Sequence, residues 1–245
     1  MTLTLSVLDQ SPVRQGGSPA DAIRETIELA RLCERLGYHR YWLAEHHNAA
    51  GLAGSTPEIL ITRVAAATEH MRVGAGGVML PHYSALKVAE NFRMLETLFP
   101  GRIDLGIGRA PGADRRTTVA LNVKSAAGDG SGAMAMEHFP QQVADLRGYL
   151  TGRFDAEHPF RDVKAMPAGP GAPEMWLLGS SDQSAQVAAH FGMAFSFAHF
   201  ISEYRGLDAV HRYREDFQPS EALAGPLANV GVFVLCAETE EEARR

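Results

Sequence analysis

Only two cysteines, Cys33 and Cys236, occur among 245 residues. That is too few for a disulfide framework. Both sit in apolar contexts, LARLCERLG and VFVLCAET, and so read as small core residues of a protein kept in a reducing cytoplasm. Long apolar runs are also missing. Nothing approaches the roughly 18–20 residues that span a bilayer, and MTLTLSVLDQS at the N-terminus alternates instead of forming a signal-peptide centre. Positive charge is not in excess: 23 Lys and Arg stand against 29 Asp and Glu, a formal net charge of −6. This argues against nucleic acid or an anionic membrane as partner. No G-x-G-x-x-G follows the first strand candidate, and Gly106, Gly108 and Gly112 of GIGRAPG are wrongly spaced for it, so a nicotinamide fingerprint is absent. No His, Cys or Asp set has the spacing of a zinc site, and the first strand ends LDQS without an H-x-H pair.

What is present is a regular alternation of strand-like runs and helical patterns, 45% hydrophobic and 21% charged. LTLSVLD (3–9) is the first strand candidate. SPADAIRETIELARLCERLG follows, with Ser18 as N-cap, Pro19 at the first helical position and Gly37 as the stop. Ile23, Ile27, Ala30, Cys33 and Leu36 step by three and four, which predicts the buried face. Strands are expected at 38–45, 72–80, 102–110, 174–180, 194–200 and 229–237. Helices are expected at 56–70, capped by Thr56, then over SALKVAENFRMLETLFPG, at 138–150, over SDQSAQVAAHFG, near 202–216 and beginning at ETEEEARR. A Gly/Ala/Asp-rich loop is expected after strand four, through residue 133. Seven such units mean a parallel sheet with helices outside. The α/β alternatives are a doubly wound sheet and a (β/α)8 barrel. Polar residues after several different strands favour the barrel, one unit short in this chain, as a single domain over 1–245.

Four features carry chemistry. Glu45-His46-His47 follows the second strand, and adjacent strand residues point to opposite faces, so one histidine faces the barrel mouth and the other packs. Two solvated loop histidines are the plain alternative. Arg109 follows the fourth strand, where its fork suits a phosphate or carboxylate. Ser180, Ser181 and Ser184 stand at the first turn of the helix after strand five, a position that offers free N–H groups to an anion. Gly74, Gly76 and Gly77 interrupt a strand, marking either the approach of a flat ligand or a tight corner.

WLAEHHNAAGLAGSTPEI, VGAGGVMLPHYSALKVAENFRMLETLFPGRIDLGIGRAPG and LLGSSDQSAQVAAHFG resemble the bacterial luciferase-like flavin monooxygenases, in particular single-chain, non-luminous members, over essentially the whole chain. The resemblance implies a barrel that binds reduced FMN and uses O2 to oxygenate a small organic substrate. It assigns proton transfer to His46, a non-prolyl cis peptide under the flavin ring to Gly76-Gly77, and phosphate contacts to Arg109, Ser181 and Ser184. Ser180 stands where luciferases carry an acid, and Gly108 stands where they carry a reactive cysteine, so light emission is not expected. Glu45 is expected to support the site and not to act as acid catalyst. With no nicotinamide fingerprint, reduced FMN is expected from a separate flavin reductase, and a homodimer is compatible with the family. Tyr83, Phe197 and Phe200 suggest an apolar substrate mouth. A deazaflavin-dependent dehydrogenase or reductase and a flavin-binding protein without turnover remain alternatives.

Overall fold

Ser18 shows how local chemistry sets the first helix. Its hydroxyl accepts the Asp21 N–H while the Asp21 carboxylate accepts the Ser18 N–H, a reciprocal capping box with Pro19 at the first helical position. Gly37, at φ +79°, stops that helix. The computed structural model describes residues 3–110, 112–121, 138–202 and 206–244. They form two compact units, residues 1–176 and 177–245.

In the first unit, β1 (Ser6–Asp9), β2 (Arg40–Leu43), β3 (Arg72–Met79) and β4 (Ile103–Gly108) pair in chain order, all parallel. Helices α1 (Pro19–Arg35), α2 (Pro57–Ala65) and α3 (Ala85–Leu98) connect them, and α4 (Arg115–Leu121) and α5 (Phe139–Thr151) follow. β5 (Glu174–Gly179) begins in this unit. In the second unit come α6 (Asp182–His190), β6 (Ala194–Ala198), α7 (Gly206–Asp216), β7 (Ala228–Gly231) and α8 (Glu240–Ala243), with β6 and β7 parallel. The fold is of the (β/α)8 TIM-barrel type, with seven strand–helix units among the described residues. No helix among those residues is long and apolar enough to cross a membrane.

Every residue of β2 and β4 is buried, as parallel strands covered on both faces require. Trp42 packs edge-on against Trp176 with ring centroids 5.2 Å apart. Tyr41, on the opposite face, donates to Asp9 Oδ2 at 2.6 Å; burial first, then Asp9, pushes its phenol far above the ordinary range. Arg102 closes the end of α2, donating to the carbonyls of Ala65, Thr68 and Met71.

Several expectations need correction. The buried stripe of α1 is Ala22, Thr26, Ala30 and Cys33, while Leu36 is exposed, because small residues let the helix approach the sheet. Thr56 precedes α2 but makes no side-chain cap bond. The stretch expected as loop after strand four contains α4, and its remainder, 122–133, lies outside the described residues. β7 ends at Gly231, opposite Ala198, where β6 also ends; 232–237 is not strand and pairs with no strand among the described residues. Cys236 is therefore exposed and not core, whereas Cys33 is buried as expected.

Candidate active site

The register of the first unit brings three chemically marked strand ends side by side. Leu43 pairs with Ala75, and Met79 pairs with Gly108. Glu45 and His46 therefore follow β2 beside the Gly76-Gly77 step of β3, and Arg109 leaves β4 beside the end of β3. Gly76-Gly77 is a cis peptide, as the resemblance implies, and the β3–β4 register shifts there, between Ala75 and Val78.

Each glycine of β3 has a packing role. A Cβ at Gly74 would lie 2.6 Å from Asp104 Cβ; one at Gly76 would lie 2.7 Å from Leu8 Cδ1; one at Gly77 would lie 2.8 Å from the Gly106 carbonyl oxygen. Neighbouring strands and core side chains occupy these spaces, so close strand approach accounts for glycine at all three positions.

The two histidines differ as adjacent strand-end residues should. His46 donates its backbone N–H to the Gly54 carbonyl at 2.9 Å, and its Nδ1 is buried with no hydrogen-bond partner. Burial pushes the His46 imidazole below its ordinary value of 6.5; neighbouring Glu45 opposes this and His47 adds to it. His47 donates its backbone N–H to Gly112, and its ring Nε2 lies 2.7 Å from Glu45 Oε1. One imidazole is engaged and the other keeps an open nitrogen. Asn48, at φ 53°, bonds Asp114 across to the loop after β4, and that bond is the leading cause of a depressed Asp114 carboxyl.

Arg109 is half-buried directly after β4. In the second unit, Ser180 is half-buried ahead of α6, while Ser181 and Ser184 form a capping box. The Ser181 N–H donates to Ser184 Oγ, the Ser184 N–H to Ser181 Oγ, and the Ser184 hydroxyl to the Ser181 carbonyl. Asp182 Oδ1 in the same first turn is buried without a partner. Of the residues expected at a substrate mouth, Phe197 is fully buried, a core residue, and Phe200 packs on Phe233 with centroids 4.9 Å apart. Sequence reasoning missed the role of Tyr83: its hydroxyl donates to Glu45 Oε1 at 2.7 Å. Nothing in one sequence links residues 38 apart.

The luciferase-like monooxygenase profile matches residues 1–245. The chain belongs to that family. A luciferase-like monooxygenase of Escherichia coli K12 is 43% identical over 242 residues, 99% of this chain and 69% of that protein. The crystal structure of apo-MsnO8 is similar with a TM-score of 0.89 at 43% identity, covering 99% of this chain and 70% of that one. The oxygenating constituent of a Pseudomonas putida 3,6-diketocamphane monooxygenase, solved in complex with FMN, shares the fold at a TM-score of 0.70 and 22% identity, covering 99% of this chain and 70% of that one.

Proposed function

We propose that this family member is a flavin-dependent monooxygenase that uses reduced FMN and O2 to oxygenate a small organic substrate. The observation that carries the reading is His46 Nδ1, buried yet without a partner beside the Gly76-Gly77 step. A buried imidazole nitrogen left open costs free energy unless something else uses it, and a largely neutral imidazole can take a proton and return it.

FMN fits the residues available. Bound in reduced form, it supplies the electrons for activating O2. By family likeness the Gly76-Gly77 peptide lies under the flavin ring, and Arg109 can fork onto two phosphate oxygens. Ser180, Ser181 and Ser184 are assigned to the phosphate by family likeness, with the first turn of α6 adding N–H donors. The Ser181 hydroxyl can donate to phosphate while its oxygen still accepts the Ser184 N–H, whereas the Ser184 hydroxyl must first release the Ser181 carbonyl. A similar fold carries FMN in the diketocamphane enzyme. In this reading reduced FMN comes from a separate reductase, the protein works in the cytoplasm, and residues 1–245 belong to one barrel domain, which can self-pair as a homodimer.

The test is titration with FMN, riboflavin and deazaflavin, followed by oxygen uptake from the reduced complexes. FMN binding with oxygen consumption supports a monooxygenase. Preference for deazaflavin without oxygen consumption replaces it with a dehydrogenase or reductase, and tight flavin binding without turnover leaves a storage protein.

A further inference from the structure

Glu45 has more partners than a simple strand-end carboxylate needs. Its side chain is 1% exposed, so both oxygens must find partners inside the protein. Oε2 accepts the Met79 N–H at 3.0 Å. Oε1 accepts the Tyr83 hydroxyl at 2.7 Å and lies 2.7 Å from His47 Nε2. An ionised carboxylate only accepts, so His47 must present its proton at Nε2; the tautomer follows from the partners. Tyr83 and His47 are themselves 3.4 Å apart, so two groups converge on Oε1 while the Met79 N–H holds Oε2. Edge-on contacts extend the cluster, with the His82 ring 6.3 Å from His47 and 6.2 Å from Tyr83. Met79 ends β3, and Tyr83 follows the short Leu80–His82 turn. One buried carboxylate thus ties the end of β2, immediately before His46, to the end of β3, just beyond Gly76-Gly77.

We propose that Glu45 is a positioning residue: it holds His47 in the Nε2–H form and, braced by Tyr83 and Met79, fixes the strand end that presents His46. What His46 then does rests on the flavin monooxygenase reading, whereas the brace belongs to the flavin-free protein.

The experiment is therefore two-part. Histidine side-chain 15N NMR on the flavin-free 1–245 chain, above neutral pH, is expected to show His47 as a single Nε2–H tautomer. In Glu45→Gln, an amide that both donates and accepts, His47 becomes a tautomer mixture and the His46 ring signals move. In Tyr83→Phe, which removes one hydroxyl, His47 keeps its proton at Nε2 but both ring signals shift. With reduced FMN and oxygen, turnover of Glu45→Gln falls by roughly 10- to 100-fold, the scale of a small misplacement of a reacting group, while its FMN affinity stays within about twofold of wild type. His47 protonated at Nδ1 in the wild type, or His46 signals unmoved in both variants, overturns the proposal. Should Glu45→Gln fail to fold, Tyr83→Phe decides alone. Absence of FMN binding by the wild type sinks the flavin reading and leaves the NMR result to judge the brace.

Discussion

Arg40 Nη1 lies 2.6 Å from Asp104 Oδ2, and the Asp104 side chain has no exposed surface. The same carboxylate accepts Trp42 Nε1 at 2.9 Å and, on its other oxygen, Arg72 Nε at 2.7 Å. Arg40 continues to Glu174 at 2.9 Å and lies over the Trp176 ring. Asp104→Ala would strip the counter-ion from two arginines, of which Arg40 is itself buried. Breaking one side of a buried pair costs about 3–5 kcal/mol, so the urea midpoint should fall by a corresponding amount. A loss below about 1 kcal/mol, the scale of an exposed pair, would show that Glu174 compensates fully.

Gly74 stands beside that aspartate. Gly74→Ala would push a methyl group into Asp104, and because part of the obstacle is strand backbone, no rotamer change relieves it. Overpacking of this kind costs about 1–3 kcal/mol. Gly51→Ala is the control, since nothing lies within 4 Å of a Cβ there. Its stability should stay within about 0.5 kcal/mol of wild type. Similar thermal melts for both variants would contradict the close-approach account of the β3 glycines.

Much of this was legible in the sequence where local chemistry and burial agree. Ser18, Pro19 and Gly37 bracket α1 because capping is local. IDLGIG reads as a buried parallel strand because its run is short and apolar. The run NVGVFVLCA reads equally well as a strand, yet only its beginning is one, since strand formation needs a partner and β6 stops at Ala198. The candidate site divides in the same way. Glu45, His46 and His47 are neighbours in sequence, but the bond from Tyr83 to Glu45 exists only because β2 and β3 are in register.

Arg109→Ala should weaken FMN far more than riboflavin, which lacks the phosphate. A charge-assisted hydrogen bond contributes about 1.5–3 kcal/mol, a Kd increase of roughly 10- to 150-fold for FMN alone. Fluorescence titration of both ligands checks it. Equal weakening would move Arg109 off the phosphate.

Beyond β7, Phe233 is 71%, Val234 74% and Leu235 79% exposed. A contiguous exposed apolar run favours association. The 1–245 chain should therefore elute from a sizing column with a concentration-dependent mass, and Val234→Lys should reduce that dependence. A wild-type elution volume constant over a hundredfold dilution would show that the run is not sticky in solution.

His46 gives a pH signature with a definite sign. Burial lowers its folded-state proton affinity below the ordinary 6.5, with Glu45 only partly opposing. Well above pH 6.5 the imidazole is neutral in both folded and unfolded chains and contributes little pH dependence. As pH falls below that value, the unfolded chain binds a proton that the folded site still refuses, so unfolding gains free energy until the folded-state value is reached. Wild-type stability should therefore drop from pH 7 towards pH 5, and His46→Gln, which cannot titrate, should drop less over the same window. Urea midpoints for both chains at half-unit steps isolate the difference from every other titrating group. Parallel curves would mean that His46 is as protonatable in the folded protein as in the unfolded chain, and the case for a buried, largely neutral imidazole at the end of β2 would be lost.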